Sequence, residues 1–526
     1  MTVNEARFWN EMVSTLVLMA TILPLAVILY RVRFHPLSHL PGPWFAAVGP
    51  FFLSIICYLG IEARVMRHYH EKYKTKTLRV STNSVSISDP DAMHEIYVAQ
   101  GGFVKDDRYA NFTMGPVVSI FSAIDADYRN LRGQRLRNAT QQQQIIGECI
   151  RDFMDQFRLL KEANDEVDIL DLCARLSIDV VTGYLLGRRY DGLHEHDDLP
   201  ISQRKHTKLS ANPFVFSIVA FARFSLLPNW LFRCTYAAST WWASSPEVDR
   251  SFKRLGEYSD RLLKKTSTAS QAEGIDSTDR SSSSSPMTYQ GRLLAAGISP
   301  FEAKVQAQAT IFAGADSTAI VLATILFHLV QNPSVNKRLH DEVESPEAQN
   351  MDTSQLPYLR AVVKEGLRLA MTNPTRLTRV VPPSGLQVCG QTIPPGTVVG
   401  CAAYVLHHDA DVFDKPFEFQ PERWLLPSTD EIVPSSIHDG DEVSHRLLPP
   451  KKGQQRELME KHMIPFGVGL RDCLGKNLAM QEIHEAVRVV AASNILEGAT
   501  TIQHQIKMKE WFNGEIIGHR LEIKWC

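Results

Sequence analysis

Ten consecutive residues, Phe466-Gly467-Val468-Gly469-Leu470-Arg471-Asp472-Cys473-Leu474-Gly475, carry the most specific chemistry in the chain. A thiolate that binds a metal needs backbone donors near its sulfur to stabilise the charge and tune the metal. Glycines let the backbone approach without a Cβ in the way. Arg471 can neutralise an anionic group beside the ligand. After Gly475 the chain reads KNLAMQEIHEAVRVV, an amphipathic helix whose N-terminus would sit near the sulfur and favour the thiolate. The plain alternative is a buried structural cysteine in a glycine-rich turn, which is the preferred reading for a lone cysteine.

Two further groups have spacing that suggests chemistry. Ala313-Gly314-Ala315-Asp316-Ser317-Thr318 places a polar cluster in otherwise apolar helical sequence. A mid-helix glycine costs about 1 kcal/mol against alanine, so it asks for a reason. The alternative is a kinked helix with a solvated polar face. Glu365 and Arg368, in LPYLRAVVKEGLRL, stand three apart and so share one helix face. Taken alone, that pair is ordinary surface decoration.

These residues sit in a chain of 526 residues with a formal net charge of −2, which excludes the basic surplus of a typical nucleic-acid binder. The eight cysteines (Cys57, Cys149, Cys173, Cys234, Cys389, Cys401, Cys473, Cys526) are scattered, with no C-x-x-C pair. That argues against a zinc ribbon, an iron–sulfur cluster or a disulfide scaffold, and fits a reducing, cytosol-facing body. Val13 to Tyr30 carries no charge and as a helix would span about 27 Å, close to a bilayer core. Arg31, Arg33 and His35 follow it, which puts the C-terminal side in the cytoplasm and a short N-terminus in the lumen.

Leu40-Pro41-Gly42-Pro43 reads as a stiff link. Trp44 to Ile61 is read as globular or membrane-surface structure, not a second span. Leu78 to Ser88 alternates like paired strands, and Asp125 to Tyr190 is mostly helical. Asn212 to Trp230 is unusually apolar and is read first as core, with a substrate lid or membrane contact as alternatives. Thr266 to Ser285 reads as a mobile surface loop. A long helix is predicted from Phe301 to Asn332, stopped by Pro333. Strand-like and turn-like pieces run from Val380 to Tyr404, and Ile502 to Trp525 is again strand-prone. The expected fold is mainly α with a smaller β portion (α+β). The expected division is residues 1–12 as the lumenal N-terminus, 13–30 as a transmembrane anchor, 31–43 as a linker and 44–526 as one large catalytic domain.

The Cys473 segment resembles the haem-binding signature of the cytochrome P450 superfamily, F-x-x-G-x-R-x-C-x-G, at all five fixed positions. Three more landmarks occur in that family's order: Glu365/Arg368 as E-x-x-R, Pro421-Glu422-Arg423-Trp424 as P-E-R-W, and the Ala313 to Thr318 stretch as its oxygen-activation motif. The resemblance covers roughly Leu40 to Cys526, and the anchor matches membrane-bound members. It implies haem b with iron held by the Cys473 thiolate, and it assigns Phe466, Gly467, Arg471, Ala313 and Gly314 to the cofactor. It further implies a structural charge network of Glu365, Arg368 and Arg423, and Asp316, Ser317 and Thr318 as catalytic residues. The family's usual threonine directly after the acid is here Ser317, which keeps the hydroxyl and loses the methyl that fixes its rotamer. Tyr128 and Arg132 resemble a propionate-binding pair, with tyrosine where tryptophan or histidine is usual; Arg379 resembles another propionate ligand. Arg129, Arg135 and Arg137 are read as a solvated basic face.

The implied activity is oxygen insertion into an apolar small molecule, such as a terpenoid, polyketide or alkaloid of fungal secondary metabolism. Electrons would come from NADPH through NADPH-cytochrome P450 reductase, docking near Lys451, Lys452 and Arg456. The implied location is the endoplasmic reticulum membrane, single-pass, with a cytoplasmic catalytic domain and no nucleic-acid partner. A haem-thiolate isomerase, dehydratase or peroxygenase and a non-catalytic haem protein are the competing readings.

Overall fold

Ser299 starts the helix on which the fold is built. Its hydroxyl accepts from the Glu302 N–H at 3.2 Å, Pro300 occupies the first turn, and the helix runs from Pro300 to Gln331 before Asn332-Pro333 ends it. The predicted helix is therefore present with nearly its predicted bounds. The computed structural model describes residues 3–113, 116–137, 143–163, 166–204, 207–211, 221–242, 249–251, 253–262, 288–425 and 452–525. Residues 212–220 of the apolar segment, the Ser/Thr-rich stretch 266–285, and Lys451 lie outside these.

Helices Ile169–Leu186, Pro357–Ala370 and Lys476–Ala492 pack around the long helix and form one large apolar core with it. Two close approaches explain glycines here. A Cβ on Gly314 would come within 2.8 Å of Val181, and one on Gly366 within 2.2 Å of Ile325. Gly314 is thus small because a neighbouring helix crosses there, a reason that the sequence alone did not supply.

The β portion is small and peripheral. Strands Thr77–Ser81 and Ser84–Ile87 form the predicted hairpin, and Ser84–Ile87 then pairs in parallel with Val398–Cys401, which pairs with Arg379–Val380. This sheet delivers Arg379 to the interior, 4% exposed. Near the C-terminus a hairpin joins Met508–Glu510 to Gly514–Ile516, and Glu522–Trp525 pairs with Ala499–Thr501 and Val167–Asp168.

The first helix, Val3–Leu29, continues through Pro24 and runs into a wider turn at Tyr30–Phe34. The stretch Thr15–Phe34 has mean hydropathy 2.1 and its apolar part is exposed, whereas the second helix among the described residues long and apolar enough to cross a membrane, Pro300–Gln331, is mostly buried in the core. The Leu40–Pro43 stretch lies on the sheet: the Arg79 N–H donates to the Pro41 carbonyl at 2.8 Å. The apolar run after it breaks at Gly49-Pro50 into helices Trp44–Val48 and Phe51–Leu59, each too short to cross a bilayer.

Glu365 holds the Pro357–Ala370 helix to the segment before the cysteine loop. Its carboxylate accepts from Arg368 at 2.8 and 3.0 Å, Arg423 at 3.2 Å, the Gln420 N–H at 3.0 Å and Trp424 Nε1 at 2.9 Å. Arg368 spends its other donors on the carbonyls of His407, Pro416 and Glu418. Burial pushes the Glu365 carboxyl up, but the Arg368 bonds and charge, with Arg423, outweigh it and hold it below its usual range. Its contribution is therefore present at neutral pH and lost as pH falls. Glu365→Ala would strand the Arg368 charge in the core at a cost of about 3–5 kcal/mol. The expected outcome is loss of folded protein in cells, or a thermal midpoint far below that of the parent chain.

Glu482 is the opposite case. It is buried on the Lys476–Ala492 helix with the Ser177 hydroxyl donating to it at 2.6 Å. Burial pushes its carboxyl up to about 8 against that bond. The folded chain therefore keeps a proton that the unfolded chain has lost above its ordinary value of 4.5, and this stability drains away as pH rises from there to about 8. Glu482→Gln should flatten the decline in thermal stability across that window. An unchanged pH slope would contradict the assignment.

Candidate active site around Cys473

The cysteine loop is built from backbone turns. The Cys473 N–H donates to the Phe466 carbonyl at 2.9 Å, Asp472 N–H to Gly469 at 3.0 Å, and Gly467 N–H to Ile464 at 3.1 Å. Gly467 and Gly469 have φ of +70° and +74°, in the left-handed region that side chains avoid. Gly469 is constrained twice, since a Cβ there would lie 2.0 Å from the Tyr97 carbonyl. The next helix starts at Lys476, and the Cβ direction of Gly475 points to within 4.0 Å of the Cys473 sulfur. Cys473 remains accessible although protein crowds it. That crowding raises its thiol above the ordinary value; Asp472 adds to the rise, while the Gly475 N–H, Arg129 and Lys476 pull the other way.

Two arginines pin this loop. Arg129, on the helix Ala126–Arg137, donates to the carbonyls of Leu470 at 2.5 Å and Asp472 at 3.0 Å. Arg471 reaches outward to the carbonyls of Ala123 at 3.0 Å and Ile124 at 2.6 Å. Arg129 was expected on a solvated face and is instead 6% exposed. The reason is the loop: its carbonyls need donors, and the helix offers one.

Arg471, half-buried, stands near two buried cations, Lys105 and Arg379. Lys105 donates to the Phe121 carbonyl at 2.6 Å and lies 4.4 Å from the Tyr109 ring centre; Arg379 donates to the Thr378 carbonyl at 2.8 Å. Burial drives the Lys105 amine well below its usual range, and Arg379, Arg471 and Arg129 push it further. Among the described residues none of Lys105, Arg379 and Arg471 makes an ion pair with a carboxylate; Asp125 acts on Arg471 only from beyond that distance. Such a group needs an anion. A haem, with two carboxylates at one edge, fits that need.

Tyr128 and Arg132 lie on the same helix as Arg129. Arg132 Nε donates to Glu302 Oε1 at 2.5 Å, Tyr128 OH to the same oxygen at 2.8 Å, and the guanidinium lies 3.4 Å from the Tyr128 ring centre. The structure ties this pair to the start of the long helix.

On that helix Ala313 is exposed although Ile311, Phe312, Ala315 and Asp316 are buried, so it borders open space. Ser317 turns its hydroxyl back to the Ala313 carbonyl at 2.8 Å, and Thr318 is buried. Asp316 Oδ2 accepts from Asn513 Nδ2 at 3.2 Å, and Oδ1 has no partner among the described residues. Burial pushes Asp316 up to about 7, helped by the charge of Glu515 and opposed by the Asn513 bond. A carboxyl balanced there can take and give a proton at neutral pH.

Phe512, next to Asn513 in the chain, forms an aromatic cluster with Tyr109, Phe112 and Phe121, with ring centres 4.7 to 6.1 Å apart. Sequence reasoning missed Lys105, Arg129, Trp424, Asn513 and Phe512. Only Trp424, inside a motif already noted, and Arg129, beside Tyr128, carried a signal.

Comparison with known proteins agrees with this geometry. A family model described as Cytochrome P450 matches residues 43–488. The chain is 51% identical over 524 residues, covering 97% of it and 99% of its relative, to the cytochrome P450 monooxygenase mfmF of Annulohypoxylon moriforme. It is 27% identical to the cytochrome P450 monooxygenase aflU of Aspergillus parasiticus, covering 91% of each, and 28% identical to the trichothecene C-4 hydroxylase of Trichoderma arundinaceum, covering 89% and 87%. The mainly helical fold, the cysteine loop and these similarities have one conclusion: the chain belongs to the cytochrome P450 family and is a monooxygenase of that family, whose iron is haem iron with a thiolate ligand.

Proposed function

We propose that Cys473 is the thiolate ligand of the haem iron, and that the enzyme oxidises an apolar small molecule of fungal secondary metabolism. The observation that carries the reading is the Cys473 loop beside two buried cations, Lys105 and Arg379, and the half-buried Arg471, with no carboxylate ion-paired to them among the described residues. Arg379, Arg471 and Lys105 would take the haem carboxylates, with Arg129 holding the loop. Phe466 and Gly467 would shape the thiolate side, and Ala313 the other, with Gly314 letting the neighbouring helix pack behind it. Arg132 and Tyr128 would act at one remove, through Glu302. When bound, the haem supplies activation of dioxygen, and the thiolate favours cleavage of the O–O bond.

The chain's own residues have the remaining tasks. Asp316 holds a proton near neutral pH and can hand it on through the Ser317 hydroxyl, with Thr318 behind it. The aromatic cluster excludes water and favours a bulky apolar substrate. The relatives' names support a secondary-metabolite substrate, among them a trichothecene hydroxylase. NADPH would supply electrons through NADPH-cytochrome P450 reductase. Arg360, Lys364, Arg456 and Lys476 line one concave surface beside Phe466 and Gly467 and offer a basic docking face; Lys452 lies on the same helix as Arg456.

Residues 13–30 would anchor the chain in the endoplasmic reticulum membrane, with 1–12 lumenal, 31–43 as linker and 44–526 as the cytoplasmic catalytic domain. Exposed Trp44, Phe51, Ile55, Tyr58 and Trp230 give the body an apolar patch suited to the same membrane surface.

The test is turnover with reductase, NADPH and labelled dioxygen in microsomes offered candidate apolar compounds. One labelled oxygen atom per product supports the reading. Product formed with no label from dioxygen contradicts it. Ser317→Ala should lower product per NADPH consumed and raise peroxide release; unchanged coupling would remove Ser317 from the proton path.

A further inference from the structure

The hairpin Met508–Glu510 and Gly514–Ile516 meets the middle of the long helix through one residue, Asn513, which donates to Asp316. The hairpin is fixed there. The Gly514 N–H donates to the Thr372 carbonyl at 2.9 Å, and a Cβ on Gly514 would lie 2.3 Å from the Met371 carbonyl. The next residue, Glu515, is 7% exposed. Its Oε1 meets Arg223 at 3.2 Å and His519 Nε2 at 3.2 Å. Its Oε2 is buried without a partner among the described residues, as is Asp316 Oδ1. The His519 side chain is 25% exposed and so reaches solvent.

Two buried acids, each with one bare oxygen, are connected through one short stretch: Asn513 bonds Asp316, and Glu515, two residues on, meets the partly exposed imidazole of His519. Bare buried oxygens of this kind are where ordered water binds. Arg223 also faces Glu515, and its guanidinium lies 4.8 Å from the Trp511 ring centre.

We propose that Glu515 and His519 form the proton entry to Asp316. His519, protonated from solvent, gives its Nε2 proton to Glu515 Oε1. Rotation of the protonated carboxyl carries the proton-bearing oxygen into the Oε2 position, from which the proton passes through bridging water to Asp316 Oδ1, and His519 is reprotonated from solvent. No electron moves, and one proton is carried inward per cycle of the chain. Asn513 is a positioning residue that aims the Asp316 carboxyl. This rests on the monooxygenase reading above, because only a reaction consuming protons at the buried site needs such an entry.

The competing explanation is that Glu515 only anchors Arg223 under Trp511 and so shapes the substrate roof. The two differ in what they change. The experiment uses the full chain with reductase and compares Glu515→Gln, Glu515→Asp and His519→Gln with the parent. Proton entry predicts that Glu515→Gln lowers product per NADPH by at least about ten-fold, with larger peroxide release and a larger solvent deuterium effect on kcat, the usual scale for a lost acid–base group. KM and the substrate-induced spectral shift should stay within about two-fold, because the change is in the chemical step and not in uniform binding. Glu515→Asp should recover part of the loss, and His519→Gln should show a smaller version of it.

A readout independent of turnover is the infrared carboxylic-acid band of Asp316, identified by its loss in Asp316→Asn. In Glu515→Gln its titration should move to lower pH, since a neighbouring negative charge is gone. Unchanged coupling and solvent isotope effect in Glu515→Gln, or a loss confined to KM, would overturn the proposal. If Glu515→Gln does not retain haem, the exposed His519→Gln decides it: unchanged coupling there overturns it equally. A parent enzyme that incorporates no labelled oxygen would instead defeat the monooxygenase reading itself, so the two failures are separable.

Discussion

Lys105 and Arg379 are buried beside the half-buried Arg471, with no carboxylate ion-paired to any of the three among the described residues. Like charges confined this way repel, and the two buried ones have given up water. Backbone carbonyls and aromatic rings soften the cost but carry no net charge. The architecture around them makes sense as a container for an anion. The sheet presents Arg379, the cysteine loop presents Arg471, and the chain leading to the Asp107–Phe112 turn presents Lys105. A cofactor with two carboxylates completes the electrostatics that folding leaves open.

The loop that offers Arg471 also offers Cys473, so its shape has to be secured by other means. Arg129 ties its carbonyls down, glycines take the left-handed positions, and His407 accepts the Ile464 N–H at 2.9 Å just ahead of it. His407 is held in turn by the Arg368 backbone, which connects the loop to the Glu365 network. The network, the loop and the cation group are therefore one mechanical unit. Glu365 is remote from any chemistry, yet it fixes where the sulfur stands.

Much of this was legible in the sequence where the constraint is local. The ten residues around Cys473, the i,i+3 pair Glu365/Arg368, and the Asn332-Pro333 stop of the Pro300–Gln331 helix each announce themselves locally. Arg423 joined Glu365 as the resemblance implied. What the sequence did not reveal depends on distant segments meeting. Lys105 has no motif around it, and its role exists only because residues 379 and 471 arrive beside it. Asn513 contacts Asp316 across 197 residues of chain. Arg132 matched a propionate-binding pattern, but Glu302 competes for it, and no local rule would reveal that. Gly314 was read as room for a cofactor, whereas Val181 fills its Cβ direction.

The account rests on the Cys473 sulfur being the iron ligand. The spectrum of the reduced, carbon-monoxide-bound full-length protein tests this directly, because the position of its main band reports the axial ligand. The account predicts the red-shifted band of thiolate-ligated haem in the parent and its absence in Cys473→Ala, with Cys401→Ala retaining it. A thiolate-type band that persists in Cys473→Ala would contradict the account.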